Sequence, residues 1–131
     1  IKKATKKYTY ELGSCYFENL GNNKFKKQRL PFMAQVSSIN DIALNDFNKD
    51  GFIDVLLVGN NYNISTQLSK LDASHGLLLL NNKKGFFEQQ LQQNFNISGD
   101  ARNIQKIKIK GDAYYIVAIN NKQPLFLKPI K

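Results

Sequence analysis

The segment from Asp46 to Asp54 has the spacing that says most about chemistry. It reads DFNKDGFID, and its side-chain oxygens recur at four positions, which are Asp46, Asn48, Asp50 and Asp54. Ca²⁺ is a hard cation that takes about six to eight oxygen ligands. Gly51 permits the tight turn that brings Asp54 back towards the other donors, and the carbonyl of Phe52 is the expected backbone ligand. The segment therefore predicts Ca²⁺ as cofactor, bound by these four side chains and by Phe52.

Two alternatives to this calcium loop have to be weighed. An EF-hand shares the D-x-N-x-D-G spacing, but it needs a bidentate Glu at loop position 12 and helices on both sides. Counting from Asp46, that position is Leu57, and the flanking residues have strand patterns. The other alternative is a solvated turn of Asp and Asn residues without metal. Four spaced donors and a glycine at Gly51 favour the ion.

The elements around this loop are predicted to be strands, so the fold class is all-β. Short apolar runs end in clusters of Asn, Gly, Asp and Lys, as expected of short strands joined by tight turns. Nine strands are predicted: Ser14–Glu18, Lys24–Lys27, Ile39–Asn45, Asp54–Gly59, Gly76–Asn81, Phe86–Gln89, Asn103–Lys108, Ala113–Ile119 and Pro124–Lys128. Helical periodicity is weak, and Ser65–Ala73 is the best candidate for a helix.

Hydrophobic patterning predicts which strand faces are buried. Ile42 and Leu44 alternate with polar neighbours, as do Ile107 and Ile109, so we expect these side chains to form the buried faces of their strands. The runs Val55–Val58 and Leu77–Leu80 are continuously apolar. These two strands are therefore expected to be covered on both faces.

The chain also contains an internal correspondence. Asn19–Phe25 and Asn81–Phe87 are similar and lie 62 residues apart, as do Ile39–Ile42 and Ala101–Ile104. A period near 60 with four short strands suggests propeller blades, of which propellers have about four to eight. We therefore expect a partial β-propeller, the C-terminal part of a larger one, divided into the outer half of one blade at 1–38, a complete blade at 39–90 and a degenerate last blade at 91–131. A self-contained β-sandwich is the alternative.

The stretches Ile39–Asn60 and Gly76–Phe87 together resemble an FG-GAP/VCBS repeat, the calcium-binding blade of integrin-α-like β-propellers. They are similar in particular to the C-terminal end of bacterial secreted VCBS-repeat proteins of the ASPIC/UnbV type. The resemblance implies calcium ligation by five residues, which are Asp46, Asn48, Asp50, Phe52 through its carbonyl, and Asp54. The later stretch Ile107–Ala113 departs from the pattern because lysines replace the acidic ligands. One ion is therefore expected.

Composition limits the possible partners. The 131 residues include 19 basic and 10 acidic ones, for a net charge of +9. Only Arg29 and Arg102 are arginines, the usual residues for bidentate recognition of bases and phosphates, so nucleic acid is not the favoured partner. The single Cys15 cannot form an internal disulfide. The longest apolar runs are far shorter than the roughly 20 residues of a membrane-spanning helix, so no membrane span is expected.

Together these features predict a non-enzymatic, calcium-stabilised binding or adhesion module that is secreted, periplasmic or on the cell surface. The expected partners are a protein or carbohydrate ligand and the remaining propeller blades. His75 and Cys15 are interpreted as structural residues, and no catalytic residue is predicted. Two alternatives stay open: a polyanion-binding module that uses the lysines, and a non-catalytic part of a propeller enzyme.

Overall fold

The computed structural model describes residues 5–65, 67, 69–90 and 95–129, and this part of the chain is all-β. It contains nine strands: β1 Cys15–Asn19, β2 Phe25–Arg29, β3 Ile39–Asn45, β4 Asp54–Gly59, β5 Leu77–Asn81, β6 Phe87–Gln89, β7 Ala101–Ile109, β8 Asp112–Ile119 and β9 Leu125–Leu127. The predicted strand bounds agree with these to within two residues at each end.

The strands form three antiparallel sheets, none of which closes into a barrel. β1 and β2 form a hairpin, β3 to β6 form a central sheet in sequence order, and β7 to β9 form a third sheet in sequence order. Every pairing joins strands that follow each other in the chain. Within the sheets, short polar turns join most of these strands, whereas β4 and β5 are joined by the longer segment 60–76.

The central sheet is packed on both faces. On one face Leu56, Val58 and Leu78 are buried against Ile104 and Val117 of the third sheet. On the other face a smaller core is formed by three buried residues, which are Ala34, Leu57 and Leu79. The prediction that the two continuously apolar strands are covered on both faces is therefore confirmed.

The predicted burial of the alternating strands is wrong. Ile42 is 48% exposed and Leu44 is 57% exposed, whereas Ala43 between them is buried. Ile42 lies on the same face of the central sheet as Leu57. The β1–β2 hairpin contacts this face at β6, the edge strand opposite to β3, where Tyr16 packs against Phe87. The hairpin therefore leaves the β3 part of that face uncovered.

The predicted burial of the alternating isoleucines in the third sheet is also wrong. Ile109 is exposed and Ile107 is only half-buried, whereas Ile104 and Ala101 of the same strand are buried. The strand's contact with the central sheet lies at its first half, so the alternating isoleucines further along lie beyond that contact.

The central and third sheets begin in the same way. The β3–β4 pairing has a register shift between Ile39 and Asp41, and the β7–β8 pairing has one between Ala101 and Asn103. In each sheet the residue after the second strand donates its backbone N–H to the residue before the first: Asn60 to Ser38 at 3.1 Å, and Asn120 to Asp100 at 2.9 Å. The two bulges lie 62 residues apart, the spacing found in the sequence.

Helix is confined to one short turn in the described residues. A 3₁₀ helix spans Phe32–Gln35 and was not predicted. The best helical candidate of the sequence, Ser65–Ala73, is not helical in its described residues, where Leu71 pairs with Asn61 in an isolated β-bridge; residues 66 and 68 lie outside the described part. In the described part of the chain, no helix has the length and apolar character needed to cross a bilayer.

Candidate functional site

The candidate loop closes the β3–β4 hairpin. β3 ends at Asn45 and β4 begins at Asp54, and these two residues are register partners. An EF-hand loop requires a helix on each side. Because both flanks are strands, the EF-hand alternative is excluded for this loop.

Asp46 holds the turn of the loop together. Its Oδ1 accepts a hydrogen bond from the backbone N–H of Asp50 at 3.0 Å, and its Oδ2 accepts one from Gly51 at 2.8 Å. Gly51 has a φ of 88°, a left-handed conformation that glycine adopts without steric cost. The aspartate therefore turns both oxygens towards the inside of the loop.

Asn48 and Asp50 continue this pattern. Asn48 Oδ1 accepts from the backbone N–H of Asp50 at 3.1 Å, and Asn48 Nδ2 donates to Asp50 Oδ2 at 3.1 Å. Asp50 Oδ1 in turn accepts from the N–H of Phe52 at 2.9 Å. Short polar side chains commonly bond to backbone two residues ahead in this manner. The structure thus brings Asp46, Asn48 and Asp50 into one bonded turn.

Asp54 has a different environment from the other three donors. Its side chain is 0% exposed. Oδ2 accepts from the N–H of Phe47 at 2.9 Å, and Oδ1 accepts from the N–H of Asn81 at 2.9 Å. A buried carboxylate is tolerated when hydrogen bonds compensate for lost hydration. Asp54 therefore anchors the loop from behind and ties it to the end of β5.

The charge of Asp50 is supported by its neighbours. Burial acts to raise the pKa of this carboxyl, but hydrogen bonds from the Phe52 N–H, the Asn48 amide and the Lys83 ammonium outweigh it and hold the pKa below its usual value. Lys83 Nζ lies 3.3 Å from Asp50 Oδ2 and 5.1 Å from the centre of the Phe52 ring. Asp50 is therefore ionised at neutral pH.

The donor chemistry of the loop fits a hard cation. Each carboxylate oxygen has two lone pairs, and most oxygens described above use one of them on a backbone N–H. In the described residues no three or more His, Cys, Asp or Glu side chains form a group that could hold a metal. That finding has no bearing on calcium, because the predicted set also counts an amide oxygen and a backbone carbonyl.

Two neighbours of the loop were not anticipated from the sequence. The ring of Phe47 packs against that of Tyr115 with centroids 5.5 Å apart, so the loop contacts the third sheet. Asn81 also donates from Nδ2 to the carbonyl of Ile53 at 3.3 Å. Since β4 and β5 are antiparallel neighbours, the end of β5 has to lie beside the start of β4. The order of the strands would therefore have identified Asn81 as a neighbour of the loop.

The corresponding turn of the third sheet lacks such a loop. Lys110 and Gly111 form a tight connection between β7 and β8, with φ values of 50° and 89°. Asp112, the one acidic residue there, pairs with Lys128 at 2.6 Å. Consecutive left-handed residues are typical of a two-residue hairpin turn. These residues leave no run of spaced oxygen donors at this position.

The other residues considered from the sequence lie apart from the loop. His75 is exposed, and its carbonyl accepts from the N–H of Ile97 at 3.2 Å. Cys15 is half-buried, with Sγ 3.3 Å from the carbonyl of Gly13. Neither contact is catalytic in character.

No protein-family model matches this chain, and no curated protein or solved structure matches it either.

Proposed function

We propose that this chain is a calcium-stabilised, non-enzymatic binding module of an FG-GAP/VCBS-type β-propeller that acts outside the cytoplasm. One observation carries the proposal. Asp46, Asn48 and Asp50 turn their oxygens into a single glycine-containing loop whose far end is fixed by Asp54. This is the donor chemistry that Ca²⁺ prefers, held on a hairpin of the central sheet.

The role of the ion would be structural. Asp46, Asp50 and Asp54 bring three negative charges into nine residues, and a bound divalent cation offsets their repulsion. Phe47, which lies in the same loop, packs on Tyr115 of the third sheet, so ordering the loop also favours the contact between sheets. A site formed by one short loop is expected to bind in the range of about 10⁻⁴–10⁻³ M typical of extracellular modules. Such affinity suits a secreted, periplasmic or cell-surface protein.

Two features support a propeller rather than a closed sandwich. The central and third sheets share a bulge at the same place in their first strands, as repeated blades would. Ile42 and Leu44 remain uncovered beside the β1–β2 hairpin, which spans only part of that face. A further pair of strands packed on them, from the remaining blades, would bury this surface as Ile104 buries Ala43 on the opposite face.

Thermal unfolding of the whole chain tests the proposal. The melting temperature is measured in millimolar calcium and in EGTA for the wild type, for Asp46→Asn and for Asp72→Asn. Asp72 is an exposed carboxylate outside the loop and serves as the matched control. We expect calcium to raise the melting temperature of the wild type and of Asp72→Asn by several degrees. In Asp46→Asn most of this increase should be absent. Equal melting temperatures with and without calcium in the wild type would refute the proposal.

A second function, polyanion binding, is favoured by the distribution of charge. Residues 1–30 contain eight basic and two acidic residues, and therefore account for six of the nine net positive charges. On the β1–β2 hairpin, Phe17 and Phe25 are exposed on the same face as Lys27 and Arg29. Exposed rings between cations are typical of surfaces that bind single-stranded nucleic acids or other polyanions.

Retention on heparin separates this function from the first. We expect a polyanion binder to elute at lower salt when Lys24 and Arg29 are both changed to Gln, and to be much less affected by the control double change of Lys108 and Lys110 on the third sheet. Identical elution of both variants would indicate that net charge alone governs retention.

A further inference from the structure

The turn between β5 and β6 is fixed against the candidate loop. Asn81 donates its N–H to Asp54 at 2.9 Å, and its own Oδ1 accepts the N–H of Lys83 at 2.9 Å. Asn82 Oδ1 accepts from the N–H groups of Lys84 at 3.0 Å and Phe86 at 3.1 Å. The backbone that carries Lys83 is therefore held in place by hydrogen bonds on both sides.

From this position Lys83 contacts a predicted calcium ligand, the Asp50 carboxylate, and the ring of Phe52. Its Nζ lies 3.3 Å from Asp50 Oδ2 and 5.1 Å from the centre of the Phe52 ring. The backbone of Lys83 has a φ of 64°. The next residue, Lys84, is exposed, and no contact between its side chain and the loop is among those described. An ammonium group thus lies beside one carboxylate of the loop.

We infer that Lys83 is an internal counter-ion of the loop, which competes with calcium for Asp50 and sets the affinity of the site. This inference rests on the proposed function. A cation that coordinates Asp50 is repelled by the ammonium that lies 3.3 Å from Oδ2, and a divalent ion near Phe52 is repelled by the same positive charge over that ring. Removal of the lysine charge therefore strengthens calcium binding, although it removes a favourable ion pair from the calcium-free protein.

The size of the effect follows from the exposure of the pair. Lys83 is exposed and Asp50 is only half-buried, so solvent screens their attraction. We expect Lys83→Gln to tighten calcium binding by about threefold, which is less than an unscreened charge at the same distance would give. Lys84→Gln has the same change in net charge one residue away, and should leave the dissociation constant unchanged.

The test is isothermal titration of calcium into the whole wild-type chain, Lys83→Gln and Lys84→Gln, together with amine labelling followed by mass spectrometry. Tighter binding in Lys83→Gln alone, with a calcium-dependent rise in labelling of Lys83 relative to Lys84 in the wild type, is the expected result. Calcium binding by all three proteins with equal constants would overturn the role of Lys83 and leave the proposed function intact.

Two further outcomes are informative. If neither the wild type nor Lys83→Gln binds calcium, the proposed function fails and the inference fails with it. If only Lys83→Gln binds calcium, the role of Lys83 as competitor is supported, but calcium binding by the native loop is refuted.

Discussion

Replacement of Asp54 by alanine tests whether this carboxylate anchors the loop independently of any ion. The side chain is wholly buried, and its two oxygens accept the backbone N–H groups of Phe47 and Asn81. The alanine variant leaves both donors without that acceptor. An unsatisfied buried donor costs about 1–3 kcal/mol, so two of them cost about 2–6 kcal/mol unless water enters.

The assay is urea or thermal unfolding in EGTA, with Asp72→Ala as the control. For a chain of this size each kcal/mol corresponds to about 3–5 °C in melting temperature, so Asp54→Ala should melt at least about 6 °C lower than the wild type. The exposed Asp72 should change stability by less than about 0.5 kcal/mol. If both variants lose the same small amount of stability, the buried carboxylate does not have the anchoring role that its hydrogen bonds indicate.

Two other predictions concern packing elsewhere in the sheets. A Cβ atom at Gly59 would lie 1.8 Å from the carbonyl oxygen of Ser38, so Gly59→Ala should destabilise the protein by about 3 kcal/mol or more in chemical unfolding, whereas Gly21→Ala, which has open space but a positive φ, should cost about 1 kcal/mol. Burial raises the pKa of Tyr115, so its neutral form stabilises the fold below about pH 10 and that contribution is lost as the pH rises through the folded pKa. Wild-type stability should therefore fall more steeply than that of Tyr115→Phe above pH 10, and parallel curves would contradict this account.

Strand positions were predictable because they depend on local patterns. Apolar runs bounded by Asn, Gly and Lys clusters placed β3 and β4 at the observed residues, and with them the loop from Asp46 to Asp54. The expectation that the two continuously apolar strands are covered on both faces was also correct. These features depend on sequence neighbours alone.

The buried face of an alternating strand was not predictable, because alternation defines two faces without saying which one meets another sheet. On β3 the larger Ile42 and Leu44 face outwards and the small Ala43 faces the third sheet. The close approach of that sheet, with Asn40 Nδ2 donating to the carbonyl of Ala101 at 2.7 Å, leaves room for only a small side chain. Tertiary packing therefore overrides the larger hydrophobicity of the other face.

Burial also separates the roles of the four side-chain donors in the loop. Asp54 is buried and each of its two oxygens accepts a backbone N–H, so its contribution to stability should persist in EGTA. Asp46 and Asp50 are only half-buried and Asn48 is exposed, so they are the donors accessible to an ion from solvent. The calcium-dependent part of stability should therefore respond to Asp46→Asn, and the calcium-independent part to Asp54→Ala. A loop in which both substitutions changed only the calcium-independent part would be a structural turn without a metal.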